Sequence, residues 1–214
     1  MTLLSAFLGP PDLLIWATLL AGLCPLSESG IGPAAGERKI VLLPIGKIEG
    51  WVLDVLEREL SRKFDCCVER REALDVPEDA LNAARNQYHS SRILGRIHGC
   101  LELEGGARGL GICDVDLYTG GLNFVFGEAE LGGKWAIISL TRLRQSFYSL
   151  PEGQDIFRKR TIKEAVHELG HVHGLEHCPN PECVMHFSNS LLDTDRKSAS
   201  FCPRCRARLQ KLIQ

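Results

Sequence analysis

Residues 167–178 read HELGHVHGLEHC, and the spacing of histidines in this stretch constrains the chain more than any other feature. An α-helix turns by roughly 100° per residue, so His167 and His171 project from one face about one turn apart. Two imidazole nitrogens on one face can bind the same metal ion. Glu168 lies toward the same side, where a carboxylate can accept a proton from water at the metal without binding the ion itself. The stretch therefore predicts a metal-binding helix with an adjacent general base.

A third histidine can reach the same ion only if the helix ends before it. His177 lies six residues beyond His171, which would place it roughly 240° further round a continuous helix. Gly174 lies between them, and glycine takes the left-handed conformation that ends helices without a steric penalty from Cβ. We therefore predict that the chain turns at Gly174 and presents His177 as the third ligand. Three protein ligands leave a position for water, which is typical of a catalytic zinc site.

Chance spacing on a solvated helix is the alternative to a metal site. Several further features in register weigh against it: Gly174, His177, the cysteine directly after His177, and Met185. His173 lies inside the stretch but off the metal-facing side, so we expect an exposed helix residue there. His186 fits either a surface position or a site position.

A second set of ligands follows as C-x4-C, a long gap and C-x2-C, formed by Cys178, Cys183, Cys202 and Cys205. Four thiolates around zinc give a closed, tetrahedral structural site. The segment from residue 178 to residue 214 is too short to bury a core of its own, and metal binding can replace that burial. The alternatives are two disulfides, or cysteines packed as small apolar residues. The charged surroundings in FCPRCRARLQKL weigh against both alternatives.

Basic residues lie close to these cysteines, and we expect Lys197, Arg204 and Arg206 to offset part of the negative charge of a tetrathiolate centre. A small nucleic-acid-binding zinc ribbon is the other interpretation, but it lacks interleaved aromatic residues. The formal net charge of -2 gives no basic field for nucleic acid. A chain of 214 residues with 44% hydrophobic and 24% charged residues fits one domain in two subdomains.

Together these motifs resemble the archaemetzincins, a family within the metzincin clan of zinc peptidases. The resemblance rests on HELGHVHGLEHC followed by CVMHFSNSLLDTDRKSASFCPRC, with a cysteine after the third histidine where other metzincins carry an acidic or polar residue. KIVLLPIG at 39–46 and GLNFVFGEAE at 121–130 are similar to the family's opening strand and its substrate-side strand. The resemblance covers most of residues 38–214.

The resemblance implies a zinc peptidase site built from these motifs. It implies a catalytic zinc on His167, His171 and His177, with Glu168 as general base, and a Met-turn at Met185 beneath the site. It also implies a second zinc ion on Cys178, Cys183, Cys202 and Cys205. We therefore expect two Zn²⁺ per chain, one catalytic and one structural.

The segment LNFVF is where the resemblance implies substrate binding, by residues Leu122, Asn123, Phe124, Val125 and Phe126. An edge strand can pair with an extended peptide through backbone hydrogen bonds. The segment is apolar on both faces, so a buried strand is the alternative, and the two interpretations are compatible. Tyr118 and Tyr148 are candidate donors to the oxyanion on the attacked carbonyl, and either also fits a packed tyrosine.

The reaction expected from these residues is amide hydrolysis by a zinc-activated water, with Glu168 moving the proton to the leaving amine. The alternative from another class is a zinc-stabilised protein- or nucleic-acid-binding module with a vestigial catalytic site. The presence of Glu168 weighs against it, because vestigial sites usually lose the base first. We expect a peptide or protein substrate, no nucleic-acid or membrane partner, and a monomer.

Residues 1–36 are expected to be an extension outside the peptidase domain at 37–214. The run LLIWATLLAGL at 13–23 is short for a membrane span, and no lysine or arginine precedes Arg38, so the positive region of a signal peptide is missing. Disorder or a wrongly assigned start is favoured over an anchor or secretion. The remaining cysteines are odd in number and favour a reducing, cytoplasmic location: Cys24, Cys66, Cys67, Cys100 and Cys113.

The predicted fold is α+β: a metzincin-like mixed sheet with flanking helices in residues 37–174, ending in an active-site helix. A small zinc-stapled subdomain is expected at 175–214. Hydrophobic periodicity predicts strands at 39–43, 66–69, 109–115, 122–126 and 136–140. It predicts helices at 51–63, from 79 to 88, at 91–103 and at 155–173.

Overall fold

The apolar run KIVLLPI forms the first strand, β1 (Lys39–Ile45), of a computed structural model that describes residues 38–213. The other strands are β2 (Cys67–Arg70), β3 (Leu81–Asn82), β4 (Gln87–His89), β5 (Arg108–Cys113), β6 (Leu117–Tyr118), β7 (Gly127–Ala129) and β8 (Trp135–Ser139). The helices are α1 (Gly50–Phe64), α2 (Ser90–Cys100), α3 (Gln154–Val172), α4 (Leu191–Arg196) and α5 (Pro203–Leu212). Short 3₁₀ turns lie at Glu78–Ala80, Thr141–Leu143 and Ser146–Tyr148.

The main sheet has five strands in the order β2-β1-β5-β8-β7. The first four run parallel, and β7 pairs with β8 in the antiparallel direction at one edge. A separate small sheet has the order β3-β4-β6. The predicted mixed sheet with flanking helices is therefore confirmed.

Helices cover both faces of this sheet, which explains why its central strands are apolar throughout. Side chains alternate between the faces, so Ile40 and Leu42 pack against α1 and α3, while Val41 and Leu43 face α2. Trp135 of β8, which is fully buried, joins the α2 side. The core thus consists of two apolar layers, and α3 lies in one of them.

Most predicted elements match the structure within a few residues, including β1, α1, β2, α2, β5, β8 and α3. The helix predicted from Asp79 to Tyr88 is wrong. The chain there forms a 3₁₀ turn and then the β3-β4 hairpin, whose turn contains Asn86 at φ 52°. Leu81 is 41% exposed, so the segment has no apolar stripe long enough to hold a helix on the core.

The strand predicted at 122–126 is also wrong, because the edge strand of the main sheet begins later, at Gly127. The carbonyl of Asn123 accepts hydrogen bonds from the Arg85 and Gln87 side chains, at 2.8 and 2.9 Å. Val125 forms an isolated antiparallel bridge with Leu117, and the Phe126 carbonyl accepts from Ser139 N at 2.8 Å. Phe126 is also buried against the core, so single backbone bonds and side-chain packing hold the segment in place of a continuous strand.

The segment after α3 folds back over the end of that helix and carries α4 and α5. Cys178 N donates to Met185 O at 2.9 Å, and Val184 N donates to Ser200 O at 3.0 Å. Phe201 packs edge-on against Phe64 of α1, with ring centroids 5.9 Å apart. No helix within residues 38–213 is long and apolar enough to cross a membrane. The apolar run at 13–23 lies outside the described residues.

Candidate catalytic metal centre

The last turns of α3 bring the first two predicted ligands together. His167 and His171 lie one helical turn apart, and their Nε2 atoms are 3.1 Å from each other. His177 approaches from beyond the end of the helix, with its ring centroid 5.4 Å from that of His167 and 4.7 Å from that of His171. One ligand atom from each histidine lies within 4.8 Å of the others.

The return of the chain depends on the turn at Gly174. The helix ends at Val172, and Gly174 takes φ 91°, a conformation that side-chain-bearing residues rarely adopt. Leu175 N then donates to Gly170 O at 2.9 Å, which closes the helix end. The predicted stop at Gly174 therefore corresponds to an actual left-handed residue between the second and third histidines.

Backbone carbonyls set the orientation of two histidine rings. His167 Nδ1 lies 2.7 Å from Val184 O, and His171 Nδ1 lies 2.7 Å from Leu175 O. A carbonyl oxygen only accepts, so each Nδ1 carries the proton and each neutral ring has its lone pair on Nε2. Two such lone pairs facing each other at 3.1 Å repel unless a cation lies between them. The donor set therefore fits a metal ion such as zinc.

Electrostatics also favour the neutral, metal-binding form of these histidines. Burial lowers the pKa of His171 to about 4 and lowers that of His167 well below its ordinary value. Burial and the positive charge of Lys197 lower the pKa of His177. The three rings are thus available as ligands at neutral pH without first losing a proton.

Glu168 lies on the same helix, with its carboxyl buried beside the histidines. Burial is the largest cause of a pKa raised well above the ordinary value, followed by the negative charge of Glu164 and, more weakly, that of Glu128. The positive charge of Lys197 opposes the shift. A carboxyl with a raised pKa accepts a proton readily near neutral pH, as a general base requires.

The edge strand β7 passes directly over this carboxyl. A Cβ added to Gly127 would lie 2.7 Å from Glu168 Cγ and 2.7 Å from Ile137 O, closer than real Cβ contacts. Only glycine therefore allows the strand to approach the helix so closely. The sequence shows Gly127 as one of many glycines, so its role is visible only in the structure.

A cleft of about 420 Å³ opens between β7, α3 and the chain after His177. Its polar side carries the three histidines, Glu168, Glu128 and Glu164. Its apolar side includes Leu122, Phe124, Val125, Phe126, Leu131 and Phe187. Four of the five residues predicted to contact substrate therefore line the cleft. Asn123 is the exception, since its backbone is held by Arg85 and Gln87.

A buried ion pair lies under the cleft. Lys197 Nζ is 3.0 Å from Glu164 Oε1, and both side chains are almost fully buried. Thr194 Oγ1 donates to the same carboxylate oxygen at 3.1 Å. The prediction that Lys197 offsets the charge of the cysteine cluster is therefore wrong, because its ammonium group instead neutralises Glu164. The spacing in the sequence places Glu164 one helical turn before Glu168, near the site. No spacing rule indicates that Lys197 pairs with Glu164.

Met185 supports the helix from below. It is fully buried, and a Cβ added to Gly170 would lie 2.4 Å from its sulfur. The methionine therefore packs in the space that Gly170 leaves on α3, between the first two histidines. The neighbouring His186 donates from Nδ1 to Cys178 O at 2.9 Å.

The four C-terminal cysteines form a second cluster, in which one sulfur from each lies within 4.8 Å of the others. All four are free, and the sulfurs of Cys178 and Cys202 are 3.9 Å apart, which excludes the predicted disulfide alternative here. The backbone N–H of Cys205 is the largest cause that lowers the pKa of Cys202 to about 7. Burial raises the pKa of Cys205 and Cys183. The set fits a tetrahedral metal site with thiolate ligands.

Three other residues singled out by sequence lie away from the cleft. His173 was expected to be exposed, but it stacks on Phe64 with ring centroids 5.4 Å apart. Burial, followed by the charge of Arg108, lowers its pKa to about 4. Neither Tyr118 nor Tyr148 is among the described cleft residues. The Tyr118 hydroxyl accepts from Asn82 at 3.2 Å and keeps its own proton to donate, so the oxyanion role stays a prediction for both tyrosines.

Comparison with known proteins gives a consistent result. The model of Peptidase family M54 matches residues 73–211. An archaemetzincin of Methanocaldococcus jannaschii is 43% identical over 172 residues, which cover 80% of this chain and 93% of the relative. An archaemetzincin of Pyrococcus abyssi is 42% identical over 177 residues, which cover 80% of this chain and 94% of the relative.

Solved structures of archaemetzincins share the fold. The protein from Methanopyrus kandleri has a TM-score of 0.75 and 37% identity, over 86% of this chain and 99% of that chain. The protein from Archaeoglobus fulgidus, solved in complex with malonate, has a TM-score of 0.69 and 42% identity. That match covers 79% of this chain and 99% of the other.

Proposed function

This chain belongs to peptidase family M54, the archaemetzincins, and we propose that His167, His171 and His177 hold the catalytic zinc ion of a peptide-bond hydrolase. Members of this family are zinc metallopeptidases, so the chain is one as well. The observation that carries the ligand assignment is the convergence of nitrogens from three histidines. The Nε2 atoms of His167 and His171 are 3.1 Å apart, and a backbone carbonyl orients each of these two rings. The position of Glu168 beside them supports a hydrolytic role.

Glu168 is the general base in this proposal. A zinc ion bound by the histidines supplies a Lewis acid that polarises the scissile carbonyl and makes water more acidic. Glu168 accepts a proton from the attacking water and later gives it to the leaving amine. Its buried carboxyl, with a pKa raised by burial, is suited to holding the proton between these two steps.

The backbone of β7 is the substrate platform. The strand is antiparallel to β8 and lies at the edge of the main sheet, so its outer hydrogen-bonding groups face the cleft. An extended peptide can pair with this edge and pass over Glu168 at Gly127. Phe124 and Phe187 line the apolar side of the same cleft and can contact substrate side chains.

A second zinc ion on the four cysteines is the structural part of the proposal, with ligands Cys178, Cys183, Cys202 and Cys205. Its role is to order the chain that follows α3, because that segment has few apolar residues to bury. Met185, packed against Gly170, is the Met-turn that supports the catalytic helix from below.

The test separates the base from the ligands. Glu168→Ala should retain the fold and the zinc content of the wild type, but lower peptide hydrolysis by roughly a hundredfold or more. His171→Ala should lose the catalytic metal. Zinc would be measured by elemental analysis, and hydrolysis by mass spectrometry of a peptide library.

Two results would contradict the proposal. Hydrolysis by Glu168→Ala at the wild-type rate would show that Glu168 is not the base. A wild-type protein with both metal sites filled that cleaves no peptide would favour the zinc-stabilised binding module instead.

A further inference from the structure

The cleft is acidic on its polar side. Its charged residues, within the described part of the chain, are Glu128, Glu164, Glu168 and Glu176, and neither lysine nor arginine lines it. A cleft with one sign of charge favours ligands of the opposite sign. Which of these carboxylates is free to act on a substrate depends on its neighbours.

Three of the four carboxylates already have a role or a partner. Glu164 is neutralised by Lys197 at 3.0 Å, with both groups buried. Glu176 lies at the rim, 3.3 Å from Arg208. Glu168 is the proposed base. The remaining carboxylate, Glu128, has no such cation within residues 38–213.

Neutral hydroxyl groups hold Glu128 in place. Ser91 Oγ donates to Oε1 at 2.7 Å, and Ser90 Oγ donates to Oε2, both from the first turn of α2. A carboxylate has about four acceptor positions, so these two bonds leave capacity for a further donor. Glu128 is therefore a carboxylate fixed in position at the cleft wall.

The pleat of β7 determines which substrate side chain meets it. Gly127 faces Glu168 on one side of the strand, so Glu128 points to the other side, toward α2. A peptide paired with β7 also alternates its side chains between these two sides. The residue opposite Glu128 therefore shares its side of the sheet, at the short Cβ separation of a cross-strand pair.

We propose that Glu128 selects peptides that carry lysine or arginine at the position paired with it. The inference rests on the proposed function, because it assumes that substrate pairs with β7. Opposite charges at directly opposed positions stabilise a strand pair, and like charges destabilise it. Glu128 thus discriminates against acidic residues at this position as well as favouring basic ones.

A purely structural role for Glu128 is the competing explanation, and the chain offers a matched control. Glu130 follows β7 directly and also contacts α2, because its Oε1 lies 2.5 Å from His98 Nε2. It does not line the cleft. Replacing either glutamate removes a side-chain contact with α2. Of the two, Glu128 alone lines the cleft where substrate would bind.

The experiment uses zinc-loaded, full-length protein and peptides that are acetylated and amidated at their ends. Each set contains three peptides that differ at a single position, which carries lysine, norleucine or glutamate. Successive sets place this position at successive residues of the peptide. Binding is measured by fluorescence anisotropy on Glu168→Ala, and hydrolysis on the protein with Glu168 intact. At one position, lysine should bind about threefold to tenfold more tightly than norleucine, and glutamate more weakly.

Two variants then test whether Glu128 causes the preference for lysine over norleucine. Glu128→Gln, in the Glu168→Ala background, should bring the ratio of lysine to norleucine affinity to about one. Glu130→Gln should keep the wild-type ratio, even if it lowers the melting temperature. The preference should also weaken in high salt, because exposed charge pairs are screened.

Three results would overturn the inference. They are equal binding of lysine and norleucine peptides at every position, loss of the preference in Glu130→Gln as much as in Glu128→Gln, or a preference that requires a free amino terminus. The proposed function fails separately, through absent hydrolysis, while the binding measurement still tests Glu128.

Discussion

At the scale of single residues, the pair of Glu164 and Lys197 is the most consequential contact outside the ligands. It joins α3 to the chain that carries the cysteine cluster, and both side chains are almost fully buried. Moving two charges out of water costs free energy, and their mutual attraction offsets that cost. Removing one partner leaves the other charge buried without compensation, so the loss of either side chain destabilises the fold. The positive charge of Lys197 also lowers the pKa of all three candidate ligands, after burial, the largest cause in each case.

Lys197→Met is therefore expected to destabilise the protein strongly. It leaves the Glu164 carboxylate buried without a cation, which costs about 3–5 kcal/mol of the free energy of unfolding. Adding Glu164→Gln should recover much of that loss, because the uncompensated charge is gone. Urea denaturation of the zinc-loaded variants measures both effects.

The matched control is Arg208→Met, which removes a cation from the exposed pair with Glu176. It should change the free energy of unfolding by no more than about 1 kcal/mol. Similar small losses for Lys197→Met and Arg208→Met would show that the buried pair is not important for stability.

At the scale of elements, the close approach of β7 to α3 brings together the proposed substrate platform and the proposed base, Glu168. Gly127 is the point of contact, with the space for a Cβ already filled by Glu168 and by the backbone of β8. The segment before it, 122–126, contributes four of its five residues to the cleft without being a continuous strand. The segment and β7 thus build one wall of the cleft, and Gly127 sets the distance between β7 and Glu168.

Gly127→Ala should impair catalysis more than folding. The added methyl group must displace either the Glu168 side chain or the strand, so kcat should fall by about tenfold or more, while the histidines keep their zinc. Gly120→Ala is the control, because nothing lies within 4 Å of an added Cβ there. Steady-state kinetics and zinc analysis of both variants provide the measurement. Equal kcat values for the two variants would rule out the proposed contact.

At the scale of the whole molecule, hydrogen bonds and a short stretch of backbone connect the two candidate metal sites. Val184 lies next to Cys183, and its carbonyl accepts the hydrogen bond from His167 that sets the orientation of that ring. Cys202 N in turn donates to Cys183 Sγ at 3.3 Å. One stretch of backbone therefore connects the cysteine cluster to His167, the first of the proposed catalytic ligands.

Cys202→Ser should lower both stability and activity, although the residue is far from the chemistry along the chain. We expect the zinc content to fall from two ions to one per chain, the melting temperature to drop, and hydrolysis to weaken as His167 loses its fixed orientation. Cys100→Ser is the control, because Cys100 is exposed. Elemental analysis, thermal melting and a peptide assay provide the readouts. A variant that retains two zinc ions would show that Cys202 is not a ligand.

The convergence of the three histidines could be predicted from the sequence because the geometry of an HExxH helix is local. Four residues make one helical turn, and Gly174 at the end of the motif turns the chain whatever surrounds it. The continuous apolar runs likewise predicted the central strands of the sheet, since burial on both faces requires them. Predictions failed where no apolar pattern dominated, as in the hairpin at 81–89, or where side chains captured the backbone, as at Asn123.

Tertiary structure alone decided how the site is completed. Glu128 and Ser90 are 38 residues apart, and Lys197 reaches Glu164 from beyond the next helix, so no spacing rule connects either pair. The close passage of β7 over Glu168 likewise depends on the order of strands in the sheet. Local backbone geometry thus determined which residues can bind metal, whereas the packing of distant elements determined which charges remain free to meet a substrate.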